Sequence, residues 1–366
     1  MALTTEQIRD ALRTVQDPEL HRDLVSLNMV KDVRVEGEDA FIVIELTTPA
    51  CPLKDQIRAD VEQAVRAWGE EHGEPVGAIN IELTADVRKA NERVRGEESP
   101  LPAVKHVIAV GAGKGGVGKS TVAVNLAVGL ARQGAKTGLL DGDIYGPSIT
   151  TMLGLESLNP QVAGDMIVPF QAHGIKAMSL GKLVEPDKAL IWRGPMAHNA
   201  FRQLATQTEW GELDYLIVDL PPGTGDVPLT LTQLLPLTGA VIVCTPQRVA
   251  QDDARRAVQM FRQLGVEMLG VVENMSYFVG DDGKEYDIFG RGGAQTLAQS
   301  MGVPFLGMVP IHMELRANSD EGAPQRNWEG NETLAKELDA IVENVAAQVS
   351  LASMRGDLTQ PTISVT

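Results

Sequence analysis

A glycine-rich segment at residues 113–120 restricts this chain to folds built around a strand, a phosphate-binding loop and a helix. The segment reads Gly-Lys-Gly-Gly-Val-Gly-Lys-Ser, follows an apolar run that ends at Val110 and opens a helical stretch. This pattern and this context match the Walker A motif of P-loop proteins. With the next residue, the segment supplies the candidate nucleotide ligands, which are Gly113, Lys114, Gly115, Gly116, Val117, Gly118, Lys119, Ser120 and Thr121.

The residue types of this loop explain why phosphate would bind there. Glycines allow successive backbone N–H groups to curve around phosphate oxygens, and the positive end of a helix favours negative charge. Lys119 is expected to reach the β- and γ-phosphates, and the hydroxyl of Ser120 to bind Mg²⁺. The loop therefore predicts a nucleoside triphosphate with Mg²⁺ as its ligand.

Two domains are expected, because 366 residues exceed the length at which one core stops growing, about 250–300 residues. Residues 1–85 predict a small α+β domain. Its expected helices cover residues 5–15 and a stretch that starts at Pro52, and its expected strands cover residues 30–35, 40–46 and 78–83. Residues 86–103 are charged and end in a proline-containing stretch, which is typical of a linker.

From residue 104 to 350, short apolar runs alternate with helical stretches, which predicts a doubly wound, mostly parallel α/β sheet. The expected strands are 106–110, 137–140, 215–218, 240–244, 269–272 and 305–309. The expected helices are 120–133, 252–264, 294–301 and 332–349. Residues 351–366 carry no strong pattern and are expected to form a tail.

The composition excludes several classes of protein. A net charge of -17 opposes sequence-independent binding to nucleic acid or anionic lipid. No apolar run approaches the roughly 20 residues that span a membrane, and the N-terminus lacks a signal-peptide pattern. Two cysteines, Cys51 and Cys244, cannot form a four-cysteine metal site within one chain. We therefore expect a cytoplasmic protein that binds neither membrane nor nucleic acid.

Three aspartates stand at the ends of predicted strands. Asp141 and Asp143 follow strand 137–140, which places two carboxylates where a γ-phosphate and its attacking water would lie. Asp219 follows a later strand and is the Walker B candidate for holding Mg²⁺. Residues 221–226, Pro-Pro-Gly-Thr-Gly-Asp, then predict a switch that senses the γ-phosphate. Taken singly, aspartates at such positions are equally typical of ordinary turns.

The second lysine of the loop, Lys114, gives a two-lysine motif that resembles the deviant Walker A ATPases, the family of MinD and ParA. The resemblance implies a homodimer in which Lys114 reaches the phosphates bound by the partner subunit. A second cation there would neutralise charge that develops on the transferred phosphoryl group. The resemblance also implies that Asp143 orients the attacking water and that Asn274 contacts adenine. Because no Asn-Lys-x-Asp guanine motif is present, ATP is favoured over GTP.

Further motifs resemble the Mrp/ApbC group of iron–sulfur cluster carriers. They are Asp-Gly-Asp-Ile-Tyr-Gly-Pro-Ser at 141–148, Trp-Arg-Gly-Pro at 192–195, Asp-Leu-Pro-Pro-Gly-Thr-Gly-Asp at 219–226, Glu-Asn-Met-Ser-Tyr-Phe at 273–278 and Asp-Ile-Phe-Gly at 287–290. The N-terminal region resembles the small domain of iron–sulfur assembly proteins through Thr-Thr-Pro-Ala-Cys-Pro at 47–52. The resemblance implies a dimeric ATPase that binds an iron–sulfur cluster and passes it to apoprotein clients, alongside iron–sulfur assembly proteins.

One departure from the family pattern concerns the cluster ligands. Most relatives carry Cys-x-x-Cys after Tyr-Phe, and the resemblance implies that these thiolates bind a cluster that bridges the dimer. Here residues 279–284 read Val-Gly-Asp-Asp-Gly-Lys, which predicts a tight Asp-Gly turn, with an oxygen-ligand metal site as the alternative. Cys51 is the remaining candidate Fe–S ligand, because a predicted helix N-terminus would favour its thiolate; the alternative is a small residue at a helix start. Cys244 ends an apolar strand and is expected in the core.

Two other interpretations share the predicted fold. A positioning ATPase of the MinD or ParA kind would need a basic amphipathic helix to bind membrane, whereas acidic side chains outnumber basic ones in helix 332–349. To bind DNA it would need a basic stripe, which the net charge of the chain opposes without excluding it. A nitrogenase-like reductase would need two cluster cysteines in the second domain, where Cys244 is the single cysteine. The sequence therefore favours the cluster carrier.

Overall fold

A computed structural model describes residues 4–18, 22–87, 99–143, 146–182, 194–280 and 282–358. The chain divides into two compact units, Met1–Arg88 and Lys89–Thr366. Some motif residues named above lie outside the described residues, as do most of the predicted linker and the end of the predicted tail. These motif residues are Ile144, Tyr145, Trp192, Arg193 and Asp281.

The first unit packs two helices against a three-stranded sheet. Its elements are α1 (Thr5–Leu12), β1 (Gln16–Asp17), β2 (Arg22–Asp23), β3 (Val30–Glu36), β4 (Asp39–Leu46), α2 (Lys54–His72) and β5 (Ile79–Ala85). The central strand β4 is antiparallel to β3 and parallel to β5, and every second residue along it is buried in the core. Strands β3 and β4 form an antiparallel hairpin, and Thr4 and Gln7 exchange the hydrogen bonds of a capping box at the start of α1.

The predicted helix start at Pro52 is wrong, because α2 begins at Lys54. The hydroxyl of Thr48 accepts the N–H of Ala50 at 3.2 Å, and this bond holds the residues that precede α2 in a turn. Cys51 therefore lies outside the helix, in the hydrophobic core of the first unit, with 7% of its surface exposed.

The second unit is a nine-stranded, mostly parallel sheet flanked by helices, which confirms the predicted α/β class. Its strands are β6 (Val104–Gly111), β7 (Thr137–Asp141), β8 (Gln161–Ala163), β9 (Met166–Val168), β10 (Phe170–Ala172), β11 (Ile175–Ser179), β12 (Leu213–Asp219), β13 (Gly239–Cys244), β14 (Met268–Val279), β15 (Glu285–Tyr286) and β16 (Phe305–Ile311). Its α-helices are α3 (Lys119–Arg132), α4 (Ile149–Met152), α5 (Gly194–Gln207), α6 (Asp226–Leu234), α7 (Arg248–Gln263), α8 (Gly293–Met301), α9 (Met313–Asp320) and α10 (Glu332–Leu358). Two 3₁₀ helices cover Leu180–Lys182 and Pro324–Trp328.

The sheet order is β10-β11-β7-β12-β6-β13-β14, with β15 and β16 both paired to β14; β8 and β9 form a separate hairpin. Every residue of β7 and β13 is buried, as expected for parallel strands covered on both faces. The carboxyl ends of β6, β7 and β12 lie side by side, which brings the Walker A loop next to the residues that follow β7 and β12.

Several elements differ from the sequence-based expectation. β14 continues to Val279, seven residues beyond its predicted end, because a bulge with Met275 at a φ of 58° lets the strand keep pairing with β16. Asn274 therefore lies inside β14. Strand β11, which was not among the expected strands, pairs with β7 and aligns Ser179 with Asp141. Helix α10 extends to Leu358 and so includes part of the predicted tail.

Candidate nucleotide-binding site

The loop between β6 and α3 has a backbone conformation that its glycines permit. Gly116 and Gly118 have φ values of 79° and 80°, in the left-handed region that favours glycine. A Cβ on Gly118 would lie 1.9 Å from Nδ2 of Asn274, and a Cβ on Gly113 would lie 2.2 Å from the carbonyl carbon of Asp253. The loop therefore requires glycine both for its backbone shape and for its close packing.

Lys119, Ser120 and Asp219 form a buried polar cluster where α3 begins and β12 ends. Nζ of Lys119 donates to Oδ1 of Asp219 at 2.6 Å, and Oγ of Ser120 donates to Oδ2 of Asp219 at 2.6 Å. The side chains of Lys119 and Asp219 are 6% and 0% exposed. Burial raises the pKa of Asp219, and the charge of Lys119 opposes that rise. A hydroxyl and a carboxylate at one place are oxygen donors of the type that Mg²⁺ prefers, so these residues fit a Mg²⁺–nucleotide complex.

Asp143 belongs to the same cluster. Its Oδ2 lies 3.4 Å from Nζ of Lys119, and its Oδ1 accepts the N–H of Gly146 at 3.3 Å. The side chain is 10% exposed. The structure therefore brings together four of the predicted site residues, Lys119, Ser120, Asp143 and Asp219.

Asp141 has different surroundings from Asp143. It is fully buried; its Oδ2 accepts the hydroxyl of Ser179 at 2.7 Å, and its Oδ1 accepts the N–H of Asp143 at 3.1 Å. Burial, together with the nearby carboxylate of Asp219, raises the pKa of Asp141 to about 7. Both of its oxygens accept hydrogen bonds from the protein, and its expected place beside the γ-phosphate stays a prediction.

The predicted switch, residues 221–226, starts against the Walker A loop. The N–H of Leu220 donates to the carbonyl of Val110 at 3.1 Å, and the N–H of Gly223 donates to the carbonyl of Ala112 at 2.8 Å. Gly223 has a φ of 99°, which favours glycine at this position. These two bonds connect the residues after β12 directly to the loop that would hold the phosphates.

Asn274 contacts the Walker A loop from β14. Its Nδ2 donates to the carbonyl of Val117 at 2.8 Å, and its side chain is buried. The neighbouring Glu273 is fully buried and accepts the N–H groups of Gly292 and Ala294 at 2.9 and 2.8 Å, at the start of α8. The adenine contact of Asn274 stays a prediction.

Lys114 and Thr121 occupy half-buried positions on either side of this cluster along the chain. Within the described part of the chain, Lys114 makes no hydrogen bond or ion pair. The backbone carbonyl of Thr121 accepts Nδ2 of Asn125 at 2.8 Å, one turn further along α3. The roles of both residues toward a nucleotide stay predictions.

The segment expected to form an Asp-Gly turn is a hairpin between β14 and β15. The N–H of Gly280 donates to the carbonyl of Lys284 at 2.9 Å, and Gly283 has a φ of 73°. The carboxylate of Asp282 accepts the N–H of Lys284 and the hydroxyl of Tyr286, and these bonds lower its pKa. The turn prediction is therefore confirmed.

The two cysteines lie in different units, and both are buried. Cys244 is 1% exposed, and burial, with the charge of Glu273, raises its pKa to about 12, which agrees with the predicted core role. Cys51 lies three residues before the start of α2 rather than directly next to it, so the helix end that was expected to favour its thiolate is displaced from it. Its role as an Fe–S ligand is untested by this geometry and stays a prediction.

Sequence reasoning missed two residues that support the site, Ser179 and Glu273. Ser179 ends a strand of five residues that the apolar pattern did not single out, and Glu273 was quoted as part of a motif without a role. A usable signal for Glu273 is its charge within an otherwise apolar strand, since a buried carboxylate requires partners.

Two kinds of structure are absent from the described residues. Neither the helices of the first unit nor those of the second include one that could cross a lipid bilayer. Over the same described ranges, no group of three or more His, Cys, Asp or Glu side chains is arranged to hold a metal ion. The absence of such a group does not argue against Mg²⁺ binding, since an ion bound with a nucleotide takes ligands from phosphates and water.

Family models match both parts of the chain. Residues 103–346 match the family described as NUBPL iron-transfer P-loop NTPase, and residues 5–76 match the family described as iron–sulfur cluster assembly protein. The first match covers more than half of the chain and includes the Walker A loop, Asp143, Asp219 and Asn274.

Individual proteins align along nearly the whole chain. The iron–sulfur cluster carrier protein of Synechocystis is 47% identical over 358 residues, covering 96% of this chain and 99% of the relative. The iron–sulfur cluster carrier protein of Deinococcus radiodurans is 50% identical over 346 residues, covering 94% and 95%. A solved structure of a nucleotide-binding protein from Archaeoglobus fulgidus, in complex with ADP, is 39% identical with a TM-score of 0.57, covering 65% of this chain and 93% of that one.

Proposed function

Because the chain belongs to the iron–sulfur cluster carrier family of P-loop NTPases, we propose that it binds and hydrolyses ATP and carries iron–sulfur clusters to apoproteins. The observation that carries this proposal is the buried contact of Lys119 and Ser120 with Asp219 at the Walker A loop. Support for the cargo comes from the alignment with cluster carriers along nearly the full chain.

The proposed roles in ATP hydrolysis follow from the contacts of each side chain. The Walker A backbone and Lys119 would hold the β- and γ-phosphates, and Ser120 and Asp219 would hold Mg²⁺. Bound Mg²⁺ would neutralise charge on the phosphate oxygens. Asp143, 3.4 Å from the ammonium of Lys119, would orient the attacking water. Asn274 would use Oδ1 to accept from the adenine amino group, since its Nδ2 is bonded to the loop.

The proposed assembly is a homodimer in which Lys114 completes the site of the partner subunit. Lys114 is half-buried beside the phosphate loop and, in the part of the chain that is described, pairs with no acidic side chain. A cation beside the phosphate loop, without a partner among the described residues of its own chain, is suited to a charge that develops during phosphoryl transfer.

The proposed cargo site is Cys51. The chain has two cysteines, and Cys244 is enclosed in the sheet with a pKa raised to about 12, which disfavours its thiolate. A cluster usually takes four protein ligands, so the two Cys51 thiolates of a dimer would leave the remaining positions to a client or an assembly protein. Such shared ligation would suit a protein that passes its cluster on. Binding would also require Cys51 to become more exposed than its present 7%.

The test is anaerobic reconstitution of the purified full chain with iron and sulfide, followed by visible absorption and transfer to an apoferredoxin. We expect a cluster band that Cys51→Ala removes and that Cys244→Ala, a matched loss of a buried thiol, retains. A chain that hydrolyses ATP but forms no band would overturn the carrier function and leave the NTPase assignment intact. A band of equal intensity in Cys51→Ala would overturn only the ligand assignment.

A further inference from the structure

Ser179 is a buried hydroxyl group that ends strand β11. It is 0% exposed and lies level with Asp141 in the parallel pairing of β11 and β7. Its Oγ donates to Oδ2 of Asp141 at 2.7 Å, and the same oxygen accepts the N–H of Gly181 at 3.0 Å. Because the amide of Gly181 occupies a lone pair of the oxygen, the hydroxyl proton is directed at the carboxylate.

The contact continues from Asp141 to the residue proposed to act on water. The other oxygen of Asp141, Oδ1, accepts the backbone N–H of Asp143 at 3.1 Å. The carboxylate of Asp141 is thus held on one side by Ser179 and holds the backbone of Asp143 on the other. The side chain of Asp143 in turn lies 3.4 Å from Nζ of Lys119.

A second, steric contact links the same turn to the loop after Asp143. A Cβ on Gly181 would lie 2.7 Å from Cβ of Pro147, so the 3₁₀ turn at Leu180–Lys182 packs closely against that proline. The end of β11 and the turn after it therefore make contacts on both sides of Asp143 in the sequence. Ser179 contacts Asp141, which precedes Asp143, and Gly181 contacts Pro147, which follows it. Two contacts on either side of one residue restrict its position more than either would alone.

We propose that Ser179 is a positioning residue for ATP hydrolysis, which fixes the backbone of Asp143 through the side chain of Asp141. The inference rests on the proposed ATPase function. Ser179 touches neither the Walker A loop nor the phosphate-binding lysine in the contacts above, so its loss should affect the chemical step more than nucleotide binding. A misplacement of a catalytic group by about 1 Å can cost roughly 100-fold in rate.

The test compares Ser179→Ala with Ser179→Thr, which keeps the hydroxyl, and with Ser350→Ala, which removes a buried hydroxyl bonded to a carbonyl in α10. We expect Ser179→Ala to lower kcat for ATP about tenfold or more, with KM changed less than about twofold. Ser179→Thr should keep most of the activity, and Ser350→Ala should keep all of it. An equal rise in KM, or an unchanged kcat, would overturn the proposal.

Amide hydrogen exchange provides a readout that does not depend on turnover. In Ser179→Ala the peptide containing Asp141 and Asp143 should exchange faster than in the unsubstituted chain, while Ser350→Ala leaves it unchanged. Unchanged exchange would overturn the positioning role. If the unsubstituted chain hydrolyses no ATP, the proposed ATPase function and the catalytic part of this inference both fail, and exchange alone decides whether Ser179 holds Asp143. If Ser179→Ala fails to fold, the isosteric Ser179→Cys, a weaker donor, should show the same two effects to a smaller extent, and their absence would be equally decisive.

Discussion

The ammonium group of Lys119 and the carboxylate of Asp219 lie 2.6 Å apart, and both side chains are almost fully buried. Two charges in such a place depend on each other, because removal of one leaves the other unpaired in a medium of low polarity. The same two groups are the proposed contacts of phosphate and Mg²⁺. Substitutions in this pair should therefore affect folding stability as well as nucleotide chemistry.

Lys119→Ala is expected to abolish ATP turnover and to lower the free energy of unfolding by about 3 kcal/mol, since it leaves Asp219 without its cation. Turnover is measured by phosphate release, and stability by urea unfolding. Lys136→Ala is the matched control, because its ammonium is 63% exposed and pairs with Glu212 on the surface. Full turnover in Lys119→Ala would contradict the site assignment.

Asn274→Ala should weaken nucleotide binding about tenfold, because it removes the hydrogen bond that holds the carbonyl of Val117. Titration with ATP and with GTP separates two roles for this side chain. Equal losses for both nucleotides would indicate that Asn274 only shapes the loop, whereas a loss confined to ATP would support the adenine contact. Asn344→Ala, which removes a similar bond to the carbonyl of Leu306, should leave both affinities unchanged.

Lys114→Ala and Lys119→Ala should each be inactive, yet their mixture should recover about a quarter of the original turnover. After random subunit exchange, half of all dimers would be heterodimers. Each heterodimer would contain one complete site of its two, made of Lys119 from one chain and Lys114 from the other, so about a quarter of all sites would be complete. The measurement is phosphate release after subunit exchange. A mixture as inactive as its components would mean that Lys114 acts within its own subunit or that no dimer forms.

The buried carboxyl of Asp141 should make stability depend on pH. Its pKa is raised from 3.8 to about 7, so the folded chain keeps a proton that the unfolded chain has lost. The contribution of Asp141 to the free energy of unfolding is complete below pH 3.8 and disappears as the pH rises through about 7. The pKa of Asp219 is also raised, so its contribution changes with pH in the same direction.

Asp141→Asn should therefore flatten the fall in the free energy of unfolding across this range, as measured by urea unfolding at a series of pH values. Asp165→Asn, at an exposed turn between β8 and β9, is the control and should keep the slope of the original chain. An identical slope in Asp141→Asn would show that this carboxyl does not titrate as the structure indicates.

The sequence predicted the parallel strands and the phosphate loop because their signals are local. The Walker A segment sits between an apolar run and a helix, and both Asp143 and Asp219 stand within two residues of a strand end. The sheet then brings these ends together by its regular pairing. The observed ends of helices and strands differ by a few residues from the predicted ends. These differences do not affect the prediction of the Walker A loop, Asp143 and Asp219.

The parts that could not be predicted depend on contacts between distant residues. Ser179 forms a hydrogen bond with Asp141, which lies 38 residues away in the sequence, and Asn274 forms one with Val117, which lies 157 residues away. Nothing in the residues adjacent to either side chain specifies its partner. Cys51 shows the same limit, since its burial depends on packing among strands and helices of the first unit rather than on the prolines beside it.

The β14–β15 hairpin also bears on how readily cluster ligands could be introduced into this chain by protein engineering. Thiolates at positions 280 and 283 would meet two obstacles. A Cβ on Gly280 would lie 2.8 Å from the ring of Tyr286, and Gly283 has a φ of 73°, which strains any residue with a side chain. A Cys-x-x-Cys pair at these positions would therefore require a redesigned turn.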